Sequence, residues 1–141
     1  EISACLVGSE MCIRDREDTV KVKKIFAAVD CGLIINPDGV LNQIEGGIIQ
    51  AASWALKEQL QFDRTRITSL NWEDYPILTF KEVPQLEIEL ISRPHDSSLG
   101  VGECAPGPVA AAIANAVNSA MGVRVRNLPI NQANVIAAMD L

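Results

Sequence analysis

The run LGVGECAPGP at residues 99–108 carries the plainest chemical potential in this sequence. Gly100 and Gly102 let the backbone take conformations closed to other residues and pass close to a ligand. A carboxylate, Glu103, follows at once, and a helix is predicted from about residue 108. A helix start offers free N–H groups and a partial positive charge, which suits anionic groups. A carboxylate displayed there is a candidate general base once burial lifts its pKa toward working pH. A Gly-rich loop whose Glu merely favours a helix N-terminus gives the same pattern, and pattern by itself favours that plainer reading. A second unusual feature is Gly46-Gly47 inside a helical stretch. Two glycines there cost about 2 kcal/mol relative to alanine, a cost that makes sense if a backbone or a cofactor must approach closely.

The elements that must position these residues follow from periodicity. VKVKKIFAAVD, Val20 to Asp30, is rich in β-branched residues and predicts a strand with Val20, Val22, Ile25, Ala27 and Val29 as its apolar positions. Asn36 can cap a helix and Pro37 fits its first position, so a helix is expected from Pro37 to Leu56. Val40, Ile44, Ile48 and Ala52 give it an apolar stripe. LKEQLQF reads as a strand closed by a turn at residues 63–66, and residues 67–78 as extended chain. QLEIELI at 85–91 alternates Leu86, Ile88 and Leu90 against Glu87 and Glu89, the pattern of a half-exposed antiparallel strand. Helices are expected over 108–121, stopped by Gly122, and over 131–139, capped by Asn131, with a short extended stretch between them. The expected fold class is α+β: a mixed or mostly antiparallel sheet packed with two to three helices.

Composition narrows the function classes. The chain has 141 residues, 48% hydrophobic and 21% charged, which is globular and long enough for a real core. No apolar run approaches the ~20 residues of a membrane span. A net charge of −6 and 4% aromatics argue against nucleic-acid backbone binding and base stacking. Residues 6–16, LVGSEMCIRDR, match the translation of a transposase sequencing adapter, CTC GTG GGC TCG GAG ATG TGT ATA AGA GAC and then AG plus a purine. Residues 1–16 lack both a regular period and the make-up of a signal peptide, and are expected to be non-native, with coding sequence beginning near Glu17. Without them the charge is −5 and only Cys31 and Cys104 remain, so no CxxC metal spacing and no disulfide framework survive.

Residues 29–138 resemble the C-terminal end of the molybdenum-binding subunit of the xanthine oxidase and aldehyde oxidase family, nearest its bacterial isoquinoline-oxidoreductase-like and nicotinate-dehydrogenase-like branches. The matching pieces, in order, are VDCGLIINPDGVLNQIEGGIIQAASWAL, DYPIL, QLEIELI, GVGECAPGPVAAAIANAV and LPI. The resemblance implies that residues 17–141 are a fragment of a larger molybdopterin-binding domain. It implies Glu103 as general base in the hydroxylation of an aldehyde or N-heterocycle carbon, with water as the oxygen source. It places Gly100, Val101 and Gly102 against the cofactor and Gln43 and Gln50 in its vicinity, with no side chain ligating the metal. It further implies molybdenum on molybdopterin in its cytosine dinucleotide form, iron–sulfur clusters on a separate small subunit, and a bacterial source. The upstream pterin-binding loops and pocket residues are not in this chain, so alone it is expected to be inactive. Its partners would be the remainder of the large subunit, the iron–sulfur subunit and a small-molecule substrate.

The remaining polar and aromatic residues receive plainer assignments. His95, between Pro94 and Asp96, reads as a surface histidine, and Cys31 as a small core residue. Cys104 could be a reactive thiol near a helix start, though packing is the simpler role. Trp54 and Trp72 are expected as core anchors, Glu87 and Glu89 as a solvated face, and Asp74-Tyr75 as a hydrogen-bonded brace. The rival to the enzyme reading is an α+β interaction domain that keeps the fold and binds no metal.

Overall fold

The computed structural model describes residues 4–13 and 20–139, the side chains of 4–13 excepted. The elements are β1 (Ala4–Ile13), β2 (Val20–Asp30), α1 (Pro37–Leu56), β3 (Gln85–Leu90), α2 (Pro106–Met121) and α3 (Gln132–Met139). The class is α+β with three helices, as expected.

β2 lies in the middle of the sheet, between β1 and β3. Its Val22, Ile25, Ala27 and Val29 are buried. The three-residue step from Val22 to Ile25 breaks strict alternation. The ladder to β1 accommodates it: Glu10 faces Lys24 and Met11 faces Val22, so Lys23 is an extra residue on β2. Such a bulge returns Val22 and Ile25 to one face. Residues 4–13, which have no regular period in sequence, nevertheless form β1. An edge strand asks of its sequence little more than backbone N–H and C=O groups.

The direction of β3 corrects the sequence expectation. Residues 85–90 were expected in an antiparallel strand, but β3 runs parallel to β2, from Lys24 opposite Gln85 to Val29 opposite Leu90. The sheet is thus mixed, one of the two expected forms, with β3 parallel to β2 and β1 antiparallel at its edge. Alternation on β3 records that one face is covered and says nothing about direction. Direction follows from the connection: residues 31–84 contain α1, which carries the chain back along the sheet, as parallel pairing requires.

α1 has the predicted bounds. Asn36 caps it by accepting the Gly39 N–H on Oδ1 at 3.1 Å, and Pro37 opens it. Ile44, Ile48, Ala51, Ala52 and Ala55 of α1 join Val109, Ile113 and Val117 of α2 and the buried face of β2 in one core. α2 starts two residues earlier than expected and stops at Gly122, φ +70°, whose N–H returns to Asn118 O. Asn131 Oδ1 accepts the Asn134 N–H at 2.9 Å and starts α3.

Two further expectations fail. LKEQLQF forms no strand; between α1 and β3 only Phe62 and Ile67 share an isolated bridge, around the predicted turn at 63–66. Apolar alternation cannot make a strand where no second strand takes up its backbone groups. Trp54 and Trp72 are not core anchors, being 46% and 75% exposed. The core is filled by Ile, Val and Ala. The brace at Asp74-Tyr75 does form: Asp74 Oδ2 accepts the Leu70 N–H at 3.3 Å, and Tyr75 Oη donates to Glu58 Oε2 at 2.8 Å.

Candidate functional site

Two segments leave the carboxyl ends of β2 and β3 side by side. The first turns through Cys31 and Gly32 toward α1. The second crosses residues 91–105 to α2. Ile91 N–H donates to Val29 O and Leu99 N–H to Cys31 O, both at 2.9 Å. The second segment therefore rejoins the first immediately before the glycine loop. The Asp30 carboxylate ties them again, Oδ1 accepting the Gly32 N–H at 3.3 Å and Oδ2 the Arg93 Nε–H at 3.1 Å. Gly32 has φ +69°, and a Cβ there would lie 2.0 Å from Ser97 O. That geometry admits only glycine.

The far side of the loop is held by α1. Gln43 Nε2 donates to Gly102 O at 2.6 Å. One turn on, a Cβ at Gly47 would lie 3.1 Å from Pro106 Cδ and 3.3 Å from Ala105 Cβ. Close approach thus explains Gly47. It does not explain Gly46, where a Cβ meets nothing within 4 Å, and the same open space lies over Gly100 and Gly102. Val101 packs on the core and its carbonyl accepts from the Cys104 thiol at 3.8 Å, closing the turn.

Glu103 stands exposed between Gly102 and α2, its carboxylate in no hydrogen bond or ion pair with a described residue. Gln43, Gly100, Val101, Gly102 and Glu103 therefore come together. Gln50 is exposed two turns along α1 and makes no hydrogen bond to the loop. The helix start offers fewer donors than expected. Of Pro106, Gly107 and Pro108 only Gly107 has an N–H, and Ala105 supplies no capping side chain. The dipole remains; the comb of amides does not.

Cys31 is a core residue, as expected. Burial first, then the neighbouring Cys104 thiol and the charge of Asp30, push its thiol above the ordinary range, so it stays protonated. His95 is exposed on the turn closed by Asp96 N–H to Arg93 O. Asp30, Gly32 and Arg93 were missed from sequence: 63 residues separate the ion pair, and neither side chain belongs to a spacing motif. Among the described residues no group of three or more His, Cys, Asp or Glu could hold a bare metal ion. A carboxylate without a partner among the described residues, a carboxamide, and glycines at which a Cβ would meet nothing within 4 Å fit a metal that arrives on an organic ligand.

The molybdopterin cofactor-binding domain model matches residues 2–84. The chain is 41% identical over 131 residues to a nicotinate dehydrogenase subunit of Pseudomonas putida, covering 93% of this chain and 11% of that protein. It is 36% identical over 125 residues to the beta chain of isoquinoline 1-oxidoreductase from Brevundimonas diminuta, covering 89% and 16%. Among solved structures it superposes on quinoline 2-oxidoreductase from Pseudomonas putida 86 with a TM-score of 0.78 and 30% identity, over 89% of this chain and 17% of that one. The chain thus spans between a tenth and a fifth of the length of these relatives.

Proposed function

The chain belongs to the molybdopterin-binding subunits of the xanthine oxidase family, and on that premise we propose that it forms the Glu103 side of the active site in a molybdenum-dependent hydroxylase or dehydrogenase. The observation that carries this reading is the loop 99–103, held at Leu99 and at Gly102. Leu99 N–H is bonded to Cys31 O and Gly102 O to Gln43, while Gly100, Gly102 and Gly46 face open space with an unengaged carboxylate beside them. When bound, molybdopterin supplies the molybdenum that accepts two electrons as a substrate carbon gains oxygen from water. The residues here fit such a group, since backbone without Cβ atoms can lie against it. Gly100, Val101 and Gly102 would line it, and Gln43 and Gln50 would face it from α1. Glu103 takes the proton released as oxygen is delivered.

The finer proposals rest on family likeness: the cytosine dinucleotide form of the cofactor, an aldehyde or N-heterocycle substrate, and an iron–sulfur partner subunit. We also propose that residues 1–16 are adapter-derived and that 17–141 is the natural segment; sequencing the source DNA across Glu17 decides this. The remainder of the large subunit is the proposed cover for the apolar arm between α1 and β3. Its Phe62, Leu70, Trp72 and Phe80 are 73%, 75%, 75% and 101% exposed, more apolar surface than a finished fold leaves bare.

The test is Glu103→Gln in the complete enzyme complex. Loss of a general base lowers kcat by about 10²- to 10⁴-fold, with molybdenum content near normal. Undiminished turnover would favour the non-catalytic interaction domain instead.

A further inference from the structure

The strand-end corner contains a clasp that no catalytic role accounts for. Asp30 closes β2, and its carboxylate spends one oxygen on the Gly32 N–H and the other on Arg93 Nε. The turn at residues 93–96 folds over Gly32 so tightly that only a residue without Cβ fits beneath Ser97 O. Directly after Ser97–Ser98 the glycine loop begins, anchored at Leu99 by Cys31 O. From Leu99 to Glu103 the backbone has four residue steps, up to about 14 Å of reach. Where Glu103 can point thus depends on where Leu99 is held. Gln43 fixes the loop from the other side, so the upstream end is the one degree of freedom that α1 does not control.

We propose that Asp30, Gly32 and Arg93 form a positioning clasp for Glu103: the ion pair closes the 93–96 turn over Gly32 and thereby fixes the start of the carboxylate-bearing loop. The inference rests on the reading of Glu103 as the base. Displacement of a reacting group by about 1 Å can cost 10²-fold in rate, so a contact remote from the chemistry can govern it. The pair itself is partly solvated, with side chains 28% and 53% exposed. An ion pair so exposed is worth about 0.2–1 kcal/mol, and its loss is a fewfold effect, whereas a Cβ at Gly32 must displace backbone.

The experiment uses the complete enzyme complex with Arg93→Gln, Arg93→Lys, Gly32→Ala and Glu103→Gln, read by amide hydrogen exchange over residues 99–103 and by steady-state kinetics. Arg93→Gln raises exchange at Leu99 about 1.5- to 5-fold, the range an exposed pair commands, and lowers kcat by a similar factor at unchanged KM. Arg93→Lys, which keeps the charge, recovers part of both. Gly32→Ala has the larger effect on both readouts; should it fail to assemble, the two Arg93 variants decide. Unchanged exchange and kcat in Arg93→Gln, beside an inactive Glu103→Gln, overturn the clasp and leave the base standing. Full turnover in Glu103→Gln removes the base and the clasp's role with it. A loss in Arg93→Gln that falls on KM alone also overturns the proposal, because a clasp acting through Glu103 leaves substrate binding intact.

Discussion

Gly46 and Gly47 are adjacent in one helix, yet alanine at the two positions should act with opposite sign. Helix propensity alone makes each Gly→Ala stabilising by about 1 kcal/mol. At Gly46 nothing lies within 4 Å of the new Cβ, so the whole gain is available. At Gly47 the Cβ would sit 3.1 Å from Pro106 Cδ, 3.3 Å from Ala105 Cβ and 3.4 Å from Pro106 Cγ. A proline ring at the first position of α2 cannot rotate away, and Ala105 is 1% exposed. The helices must part by a few tenths of an ångström, and overpacking of that kind costs about 1–3 kcal/mol. The net for Gly47→Ala is therefore a loss of up to about 2 kcal/mol, after the propensity gain. Urea denaturation of the chain checks both variants. In the complete enzyme a second readout separates packing from function. If the open face over Gly46 receives the cofactor, Gly46→Ala lowers molybdenum content there even as it stabilises the bare chain. Equal stabilisation by the two substitutions would refute the account of the α1–α2 contact. A fully loaded Gly46→Ala enzyme would refute the assignment of that face.

Two further outcomes follow from named contacts. Gln43→Ala removes the 2.6 Å bond to Gly102 O; stability should fall by about 0.5–1.5 kcal/mol while kcat of the complete enzyme falls by more than that energy implies, and a proportionate or absent loss of kcat would deny the residue its hold on the loop. Glu82 is raised by burial but lowered more by the Lys57 ammonium at 2.5 Å and by the Thr79 N–H and hydroxyl, which together hold its carboxyl at about 2. A depressed folded pKa adds stability above the ordinary carboxylate value and loses it as pH falls from about 4.5 toward about 2. With Glu82 36% exposed, solvent screening reduces the effect to about 1 kcal/mol. Glu82→Gln should flatten acid unfolding across that window, and an unchanged acid profile would show the pairing to be idle.

What could be read from sequence was whatever rests on local physics. Asn36 and Pro37 mark the start of α1 because a cap needs a side-chain acceptor and a first turn tolerates a missing N–H. β2 announced itself through β-branched residues, Asn131 through its side-chain acceptor, and Gly122 through the left-handed backbone it allows. The failures share a cause as well. Strand direction, the idle alternation of LKEQLQF and the exposure of both tryptophans depend on what lies opposite, which no window of sequence contains. The site divides along the same line. Gly100, Gly102 and Glu103 are a contiguous motif and were visible. Gln43 was placed near the loop, but its bond to Gly102 O spans 59 residues, and the Asp30–Arg93 pair spans 63. The helix-start amides were overstated because the prolines at 106 and 108 remove donors that the dipole alone does not count.

The one topological error is also the one that matters for function. β3 is six residues long, about 20 Å from end to end. Had it run antiparallel to β2, residues 91–105 would begin at the opposite edge of the sheet from Asp30, about that distance away. Arg93, three residues past β3 and so within about 10 Å of its end, could not then reach Asp30, and Leu99 could reach Cys31 only along a nearly straight chain. Parallel pairing sends both strand ends to one end of the sheet, so that the loop between β3 and α2 crosses the corner between β2 and α1 and α2 starts against the middle of α1, at Gly47. Ligand sites in sheets of parallel strands gather at such carboxyl ends for this reason. The crossover that α1 provides is therefore what assembles the candidate site: it brings a carboxylate from late in the chain onto a corner and a glutamine supplied much earlier. A β3 register shifted by one residue would turn Leu86, Ile88 and Leu90 outward and carry the glycine loop off that corner, so the same apolar alternation that fixes the strand also fixes where Glu103 can stand.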